Sequence, residues 1–466
     1  MKKNNKFTKI LCTIGPASDN RKIIKKMYQN GMNGVRINTA HGDFEGYQKI
    51  IDTVRSVIDV PIVLDIKGPE VRIRLPYKLF INKNTQFKIY ASSHKTEPYF
   101  SFNIIKDISE KDKILIDDGK YICKIIKKAK DFVIVRSKRN IELIPNKSIN
   151  IPERALSLPS LSEKDIEAIR FAQKNNIEYI ALSFVRDKND LINLREKLAG
   201  AEIKIIAKIE NRQGVENIDE ILENCAGVMI ARGDLGVELS VKKIPRIQKE
   251  IITKCNNVGK ISIVATQILE SMVSNPTPTR AEVSDITNAI LDGADCLMLS
   301  QETAVGDFPV ECVKQMSEIA NETEKYVRLK HIKINKNNIS ENISLAAANL
   351  AKKLSVKKII CMTRSGYTAK NIVKHRVNKP VIAIVPNKQI QKQLMLCYSI
   401  TPFVYYNDSW DYSMLEIIKQ LLKDKILEKK GDILFTTGRH SKESKRTTTI
   451  EVHNIKDLSD YMGLPA

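Results

Sequence analysis

Residues 203–236 read IKIIAKIENRQGVENIDEILENCAGVMIARGDLG. IKIIAKI is an apolar run ending in Lys208 and Glu210, residues 214–223 carry helical spacing, and GVMIA is apolar again before Arg232-Gly233-Asp234. The pattern is strand, helix, strand, and each strand closes in charge. In a parallel sheet the C-terminal strand ends face the crevice or barrel mouth, so Lys208, Glu210 and Asp234 are expected in one place. Two carboxylates a few ångströms apart repel each other, and a hard divalent cation such as Mg²⁺ relieves that repulsion while taking phosphate oxygens as further ligands. The adjacent lysine is then a charge-stabilising group, and the N–H groups from Leu235-Gly236 onward are expected to face an anion. A solvated turn cap explains either strand end alone. The pair points to chemistry.

Outward from this stretch the alternation recurs. Apolar runs at 8–14, 34–38, 61–66, 179–185, 261–266 and 295–299 end in polar residues and are followed by helical patterns, with Ser162-Glu163-Lys164-Asp165 as a helix start and residues 275–280 (NPTPTR) as a loop. Eight such units describe an α/β (β/α)8 TIM barrel. Between residues 72 and 152 the rhythm changes to short β-like runs (FKIYA, KILIDDG, YICKII, FVIVRS), expected as a small all-β lid domain inserted in the barrel. Residues 331–338 (HIKINKNN) are the expected linker. KIICM, VIAIV, FVYYN and ILFTT then predict strands of a C-terminal open α/β domain. The partition is 1–71 and 153–334 for the barrel, 72–152 for the lid, and 339–466 for the C-terminal domain.

The chain has 466 residues, 42% hydrophobic and 28% charged, enough for several domains with a substantial core. Its net charge of +22 would suit a polyanion, but the lysines are spread along the length and read as solvated faces, so neither nucleic acid nor membrane is expected as a partner. The eight cysteines form no CxxC pair and several lie in apolar runs, as expected of buried residues in a reducing cytoplasm. No signal-like segment or apolar run of membrane-spanning length is present.

The chain resembles the pyruvate kinase family through TKILCTIGP, RINTAHGD, LDIKGPEVR, the DDG of the insertion, NKSINIP, SFVR, KIEN, ARGDLG, ATQILESM, PTPTRAE and ILDGADCLMLS, in the family's order. The resemblance implies phosphoryl transfer from phosphoenolpyruvate to ADP, giving pyruvate and ATP in glycolysis. It also implies a homotetramer. Carried over, Glu210 and Asp234 would hold Mg²⁺. Lys208 would stabilise charge on the transferring group and the enolate oxygen. Gly233, Asp234 and Thr266 would take the substrate carboxylate, with Thr266 also near the path of the proton to the enolate carbon. Arg36 and Arg72 would meet phosphate, while Lys147, His41 and Asp118 lie on the nucleotide side. Thr363, Ser365, Gly366 and Thr368 would cradle a phosphorylated allosteric effector, completed by a basic loop at 437–449.

K⁺ would be held by Asn38, Asp65 and the carbonyl of Ile66, but Ala40 replaces the family's serine and a methyl cannot coordinate K⁺. Glu70, by contrast, is the residue type that accompanies K⁺ dependence. Ser148 and Gln301 stand where the family has glycine. Two other readings use the same residues. A Mg²⁺-dependent barrel lyase or aldolase acting on pyruvate enolates would need the carboxylates but not the lid, and a non-enzymatic polyanion-binding protein would need only the charge.

Overall fold

Eight strands, Lys9–Thr13, Gly34–Asn38, Ile62–Ile66, Tyr179–Leu182, Lys204–Ile209, Gly227–Ala231, Ile261–Ala265 and Cys296–Leu299, pair in parallel with their chain neighbours. The last closes on the first. This computed structural model describes residues 6–152, 154–330, 332, 334–405, 413–438 and 446–463. Barrel strands are buried on both faces, one against the interior and one against the helices, and so read as unbroken apolar runs. Capping boxes start two of the surrounding helices. Ser162 with Asp165 caps Glu163–Lys174, and Thr279 with Glu282 caps Arg280–Asp292 directly after the proline-rich loop.

Two local expectations are corrected. The helix expected at 214–223 is split into Arg212–Glu216 and Ile218–Asn224, because Asn217 donates its side-chain amide to the Arg186 carbonyl (2.9 Å) at the break. The strand ending at Ala231 runs straight into a helix, Arg232–Glu238, so Gly233 and Asp234 supply first-turn N–H groups ahead of Leu235 and Gly236.

The segment after the third barrel strand is all-β. A seven-stranded sheet runs in the order Ile149–Asn150, Lys113–Ile116, Tyr121–Lys128, Phe132–Ser137, Gln86–Tyr90, Tyr99–Phe100 and Ile73–Arg74, over its own apolar core, beside a two-stranded sheet of Leu79–Ile81 and Ile141–Leu143. The chain enters and leaves side by side: the N–H groups of Ile73 and Ile149 donate to the carbonyls of Lys147 and Val71.

The C-terminal sheet is ordered Ile400–Val404, Val381–Val385, Lys358–Met362, Asp432–Thr437 and Thr449–Asn454. Its last strand is antiparallel and begins where the expected basic loop ends, with no strand expected there, and the strand expected at FVYYN lies earlier, at Ile400–Val404. Of the expected linker, His331 and Lys333 lie outside the described residues.

Barrel and C-terminal sheet share one core. Leu11, Val63, Met229 and Ile263 of the barrel interior belong to the same buried cluster as Ile359, Ala383, Leu396 and Tyr398. At this junction Arg376, 1% exposed, donates to the carbonyls of Val373 (2.9 Å) and Gly293 and to Asn256 Oδ1 (2.7 Å), and pairs with Asp295 at 3.2 Å. Removing one partner of a buried ion pair strands the other in a dry site, at about 3–5 kcal/mol. Arg376→Met is therefore expected to lower the unfolding free energy by about 3 kcal/mol in urea titrations, and an unchanged midpoint would show that the junction tolerates Asp295 alone.

Candidate active site

Lys208 ends the fifth barrel strand with its ammonium group enclosed by oxygen. Nζ lies 3.1 Å from Asp65 Oδ1 and 3.0 Å from Glu210 Oε1, and it donates to Ser183 Oγ at 2.7 Å. Asp65 and Glu210 are each 1% exposed and Lys208 is 9% exposed. Burial alone would lower the lysine pKa, but the facing carboxylates of Asp65 and Glu210 hold it above its ordinary value. Asp65 is held low in spite of its burial by Lys208 and by Arg36, whose Nε sits 2.7 Å from Oδ2. Arg36 also donates Nη1 to Thr13 Oγ1 at 3.0 Å, which leaves Nη2 unbonded among the described residues.

Glu210 titrates differently. Burial pushes its carboxyl up to about 7 against the pull of Lys208, with Asp234 and Asp65 adding to the rise. Its second oxygen accepts the N–H of Phe184 at 2.7 Å, and Phe184 has the left-handed φ of 56°. Asp234 is likewise raised by burial, opposed by Lys208 and reinforced by Asp118 and Glu70. Neither carboxylate is comfortable ionised beside the other, which is the condition a divalent cation relieves. Among the described residues no three or more His, Cys, Asp or Glu converge, so the donor set fits a metal that takes two carboxylates and finds its other oxygens on substrate and water.

Thr266 follows the seventh strand at φ 65°, and Gln267 follows at 53°. Two consecutive left-handed non-glycine residues are held only where neighbours over-determine them. Arg232 does so: its guanidinium donates to the carbonyls of Thr266 (2.8 Å) and Gln267 (2.8 Å) while pairing with Asp285 at 2.6 Å. Thr266 Oγ1 consequently accepts the Gly233 N–H at 2.9 Å and donates to the Ala265 carbonyl at 2.6 Å. The donors expected to share a substrate carboxylate are bonded to each other in this structure.

On the lid side the Asp117-Asp118-Gly119 turn is left-handed throughout, with φ of 57°, 52° and 84°. Lys147 pairs with Asp117 at 2.8 Å, which raises its pKa. Ser148, standing for the family's glycine, donates Oγ to Asp118 Oδ1 at 2.6 Å and accepts the Asp118 N–H at 2.9 Å. The hydroxyl thus fixes the turn that looks toward Asp234. Arg72 forks onto Glu70 Oε2 through Nε (2.9 Å) and Nη2 (2.6 Å). His41 is exposed beyond the second strand, and its carbonyl accepts the Tyr47 hydroxyl at 2.6 Å.

The groups expected to hold K⁺ do not form a free cage. Asp65 is committed to Lys208 and Arg36, the Ile66 carbonyl accepts the Ser183 N–H at 3.3 Å, and Asn38 Oδ1 accepts the Ala40 N–H at 3.2 Å. Ala40 adds no side-chain oxygen, so the donor set does not fit the ion.

In the C-terminal unit, Thr363 is buried, Ser365 is exposed and Gly366 has φ 82° where a Cβ would collide with Leu394. Thr368 Oγ1 is 2.6 Å from Thr447 Oγ1. Residues Arg439, Lys442 and Lys445 of the expected basic loop lie outside the described residues. Sequence reasoning missed Ser183 and Arg232 as site builders. Both stood in quoted motifs, SFVR and ARGDLG, but their contacts cross between strands.

Comparison with known proteins agrees with the geometry. The family described as "Pyruvate kinase, barrel domain" matches residues 5–313, and "Pyruvate kinase, alpha/beta domain" matches residues 341–453. Proteins named pyruvate kinase from Sporosarcina psychrophila and Staphylococcus aureus (strain MRSA252) are each 38% identical over 97% of this chain, covering 81% and 80% of their own lengths. One from Bacillus licheniformis is 37% identical over 97% of this chain and 81% of its length. The chain belongs to the pyruvate kinase family.

Ser183 holds the Lys208 ammonium by a charged hydrogen bond in a dry site, worth about 1.5–3 kcal/mol. Ser183→Ala is expected to lower kcat about tenfold or more, with KM for phosphoenolpyruvate little changed. An unaltered kcat in steady-state kinetics would show that Asp65 and Glu210 alone position the lysine.

Proposed function

We propose that, as a member of the pyruvate kinase family, the chain transfers the phosphoryl group of phosphoenolpyruvate to ADP, giving pyruvate and ATP, at the barrel mouth around Lys208. The carrying observation is the Lys208 ammonium enclosed by Asp65 and Glu210, at the ends of two barrel strands with Tyr179–Leu182 between them, within electrostatic reach of Asp234. The phosphoryl transition state spreads negative charge over its oxygens, so positioning and cations do the catalysis. Glu210 and Asp234 would hold Mg²⁺, which would supply positive charge to the substrate oxygens.

Lys208 offsets charge on the transferring group and on the enolate oxygen, already ionised and aimed by three oxygens. Arg36, with one nitrogen unbonded, and Arg72 meet phosphate oxygens, as a guanidinium fork is shaped to do. The substrate carboxylate displaces the internal contact between Gly233 and Thr266, taking their donors together with the N–H of Asp234. The Thr266 hydroxyl then stands on the route of a proton to the enolate carbon. Lys147, Asp118 and His41 contact the nucleotide from the lid side.

Three working units, 1–71 with 153–334, 72–152, and 339–466, act as catalytic barrel, lid and regulatory domain. The turn bearing Thr363, Ser365, Gly366 and Thr368 receives a phosphorylated effector, met by Ser365 and backbone because Thr368 is spent on Thr447. The enzyme is a cytoplasmic homotetramer; no helix among the described residues is long and apolar enough to cross a membrane. A lyase or aldolase reading leaves Lys147 and the lid without purpose.

Two experiments test this reading. Lys208→Met, assayed beside the parent with ADP, phosphoenolpyruvate and Mg²⁺, is expected to lose about 10²–10³ in kcat; parent protein that makes no ATP, or a variant as fast as the parent, would end the proposal. Added K⁺ at saturating Mg²⁺ is expected to stimulate the parent only slightly, and Ala40→Ser to increase that stimulation. Many-fold activation of the parent by K⁺ would show that the oxygens of Asn38, Asp65 and Ile66 suffice.

A further inference from the structure

The net charge of the chain is not evenly spread. Residues 72–152 hold eighteen Lys and Arg against eight Asp and Glu, so about a sixth of the chain carries nearly half of the +22. The register of the lid sheet shows where much of it points. Lys113 lies directly opposite Lys124, Lys124 opposite Arg136, and Arg136 opposite Gln86, across four adjacent antiparallel strands. Directly opposite residues share a face, and all four are exposed. The neighbouring row on that face is Lys127, Ile134 and Lys88.

None of Lys113, Lys124, Arg136, Lys127 and Lys88 has a carboxylate partner among the described residues. Like charges set directly opposite on neighbouring strands cost stability. A face that carries five of them unneutralised is shaped for a polyanion.

The third row of the same face is aromatic. Phe132 lies opposite Tyr90 with ring centroids 5.5 Å apart, Lys88 Nζ sits 4.8 Å over the Phe132 ring, and Tyr90 stacks on His94 at 4.2 Å and 18°. All three rings are half-exposed. Cations in a lattice of roughly 5 Å between strands, bordered by flat rings, combine backbone neutralisation with base stacking. An acidic peptide has no use for the stacked rings. A membrane surface would need apolar side chains to insert, and Ile122 is the one large aliphatic of this face more than half exposed.

We propose that the outward face of the lid sheet, formed by Lys113, Lys124, Arg136, Lys127 and Lys88 with Phe132 and Tyr90, binds single-stranded nucleic acid. This goes beyond phosphoryl transfer and departs from the sequence expectation, in which the charge had no polyanion partner. Lys113 lies at the end of its strand away from the Asp117-Asp118-Gly119 turn, about 14 Å distant at strand rise. The face and the barrel mouth are therefore separate places, and both can be occupied.

The test is fluorescence anisotropy of the full chain with a labelled mixed-sequence RNA of about 20 nucleotides, in saturating ADP so that the mouth is filled. Five neutralised phosphates predict a log–log salt slope of about −3.5, or about a hundredfold loss of affinity between roughly 50 and 200 mM salt. The triple variant Lys113→Glu/Lys124→Glu/Arg136→Glu is expected to flatten that slope by about 2 and to bind at least tenfold more weakly at low salt.

Phe132→Ala is expected to weaken RNA binding about fivefold or more by loss of stacking, while binding of heparin, which has no bases, stays unchanged. Both variants are expected to form pyruvate at the parent rate, which reports a folded lid. RNA binding that is absent at low salt, that survives the triple reversal, or that Phe132→Ala leaves unchanged overturns the proposal. So does tighter binding of the parent to phosphatidylserine vesicles than to RNA.

Discussion

A single ammonium group buried among carboxylates organises this molecule. Isolated in the barrel mouth, Lys208 would lose its proton, and Asp65 or Glu210 would gain one. Together Lys208 and Asp65 stay charged, because they face each other at 3.1 Å while Arg36 takes the far oxygen of Asp65, and Glu210, 3.0 Å from the ammonium, is still pushed up by its burial. Such clusters are weak sources of stability, since desolvation consumes most of the attraction. Their value is positional: the ammonium group is held dry and aimed by three oxygens. The neighbouring strand ends are built around keeping it so.

The backbone bears part of that work. Phe184, Thr266, Gln267, Asp117 and Asp118 all adopt left-handed φ without being glycine, and all lie at strand ends or turns that face the mouth. Each is tied by a specific bond: Phe184 N–H to Glu210, the Thr266 and Gln267 carbonyls to Arg232, the Asp117 N–H to the Ser148 carbonyl, and the Asp118 N–H to Ser148 Oγ. Gly68 shows the same crowding from the other side, since a Cβ there would lie 2.8 Å from the Ser183 carbonyl. Strain of this kind persists only where the surroundings over-determine it. Here it turns Thr266 Oγ1 toward Gly233 and Glu210 toward Lys208.

Much of this was legible in the chain. Double burial makes the barrel strands apolar throughout, and the strand-end rule alone brought Lys208, Glu210 and Asp234 together. What was hidden depends on register and contacts across strands. Asp65 was expected as a K⁺ ligand through the family resemblance alone, whereas its neighbours in space are Lys208 and Arg36. The break at Asn217 comes from a bond to Arg186 that no helical periodicity encodes. The strand Thr449–Asn454 was missed because it is short, carries only Ile450 and Val452 as apolar residues, and buries neither face fully. The lid charge could be counted from sequence, but only the pairing of Lys113, Lys124 and Arg136 shows that it shares one face.

The two appended units are joined to the barrel in opposite ways, and the difference follows from what lies at each seam. At the barrel's N-terminal end Leu11, Met229 and Ile263 pack into one core with Ile359 and Leu396, and Arg376 crosses the seam to Asp295 and Asn256. Close-packed interiors transmit displacement rather than absorb it, so barrel and C-terminal sheet behave as a single body. The lid keeps a separate core and is reached by two chain crossings, paired where Ile73 meets Lys147 and Ile149 meets Val71, with the Asn150 amide donating to Glu238 at 2.9 Å as one polar tie across the hinge. Further ties follow on the returning chain, where Arg154 forks onto Asp112 (2.8 and 2.9 Å) and Ser157 donates its N–H to Asp107 at 2.8 Å. Lys147 and Asp118 thus sit on the unit that keeps its own core, and the turn from Thr363 to Thr368 sits on the unit whose core is continuous with the barrel interior.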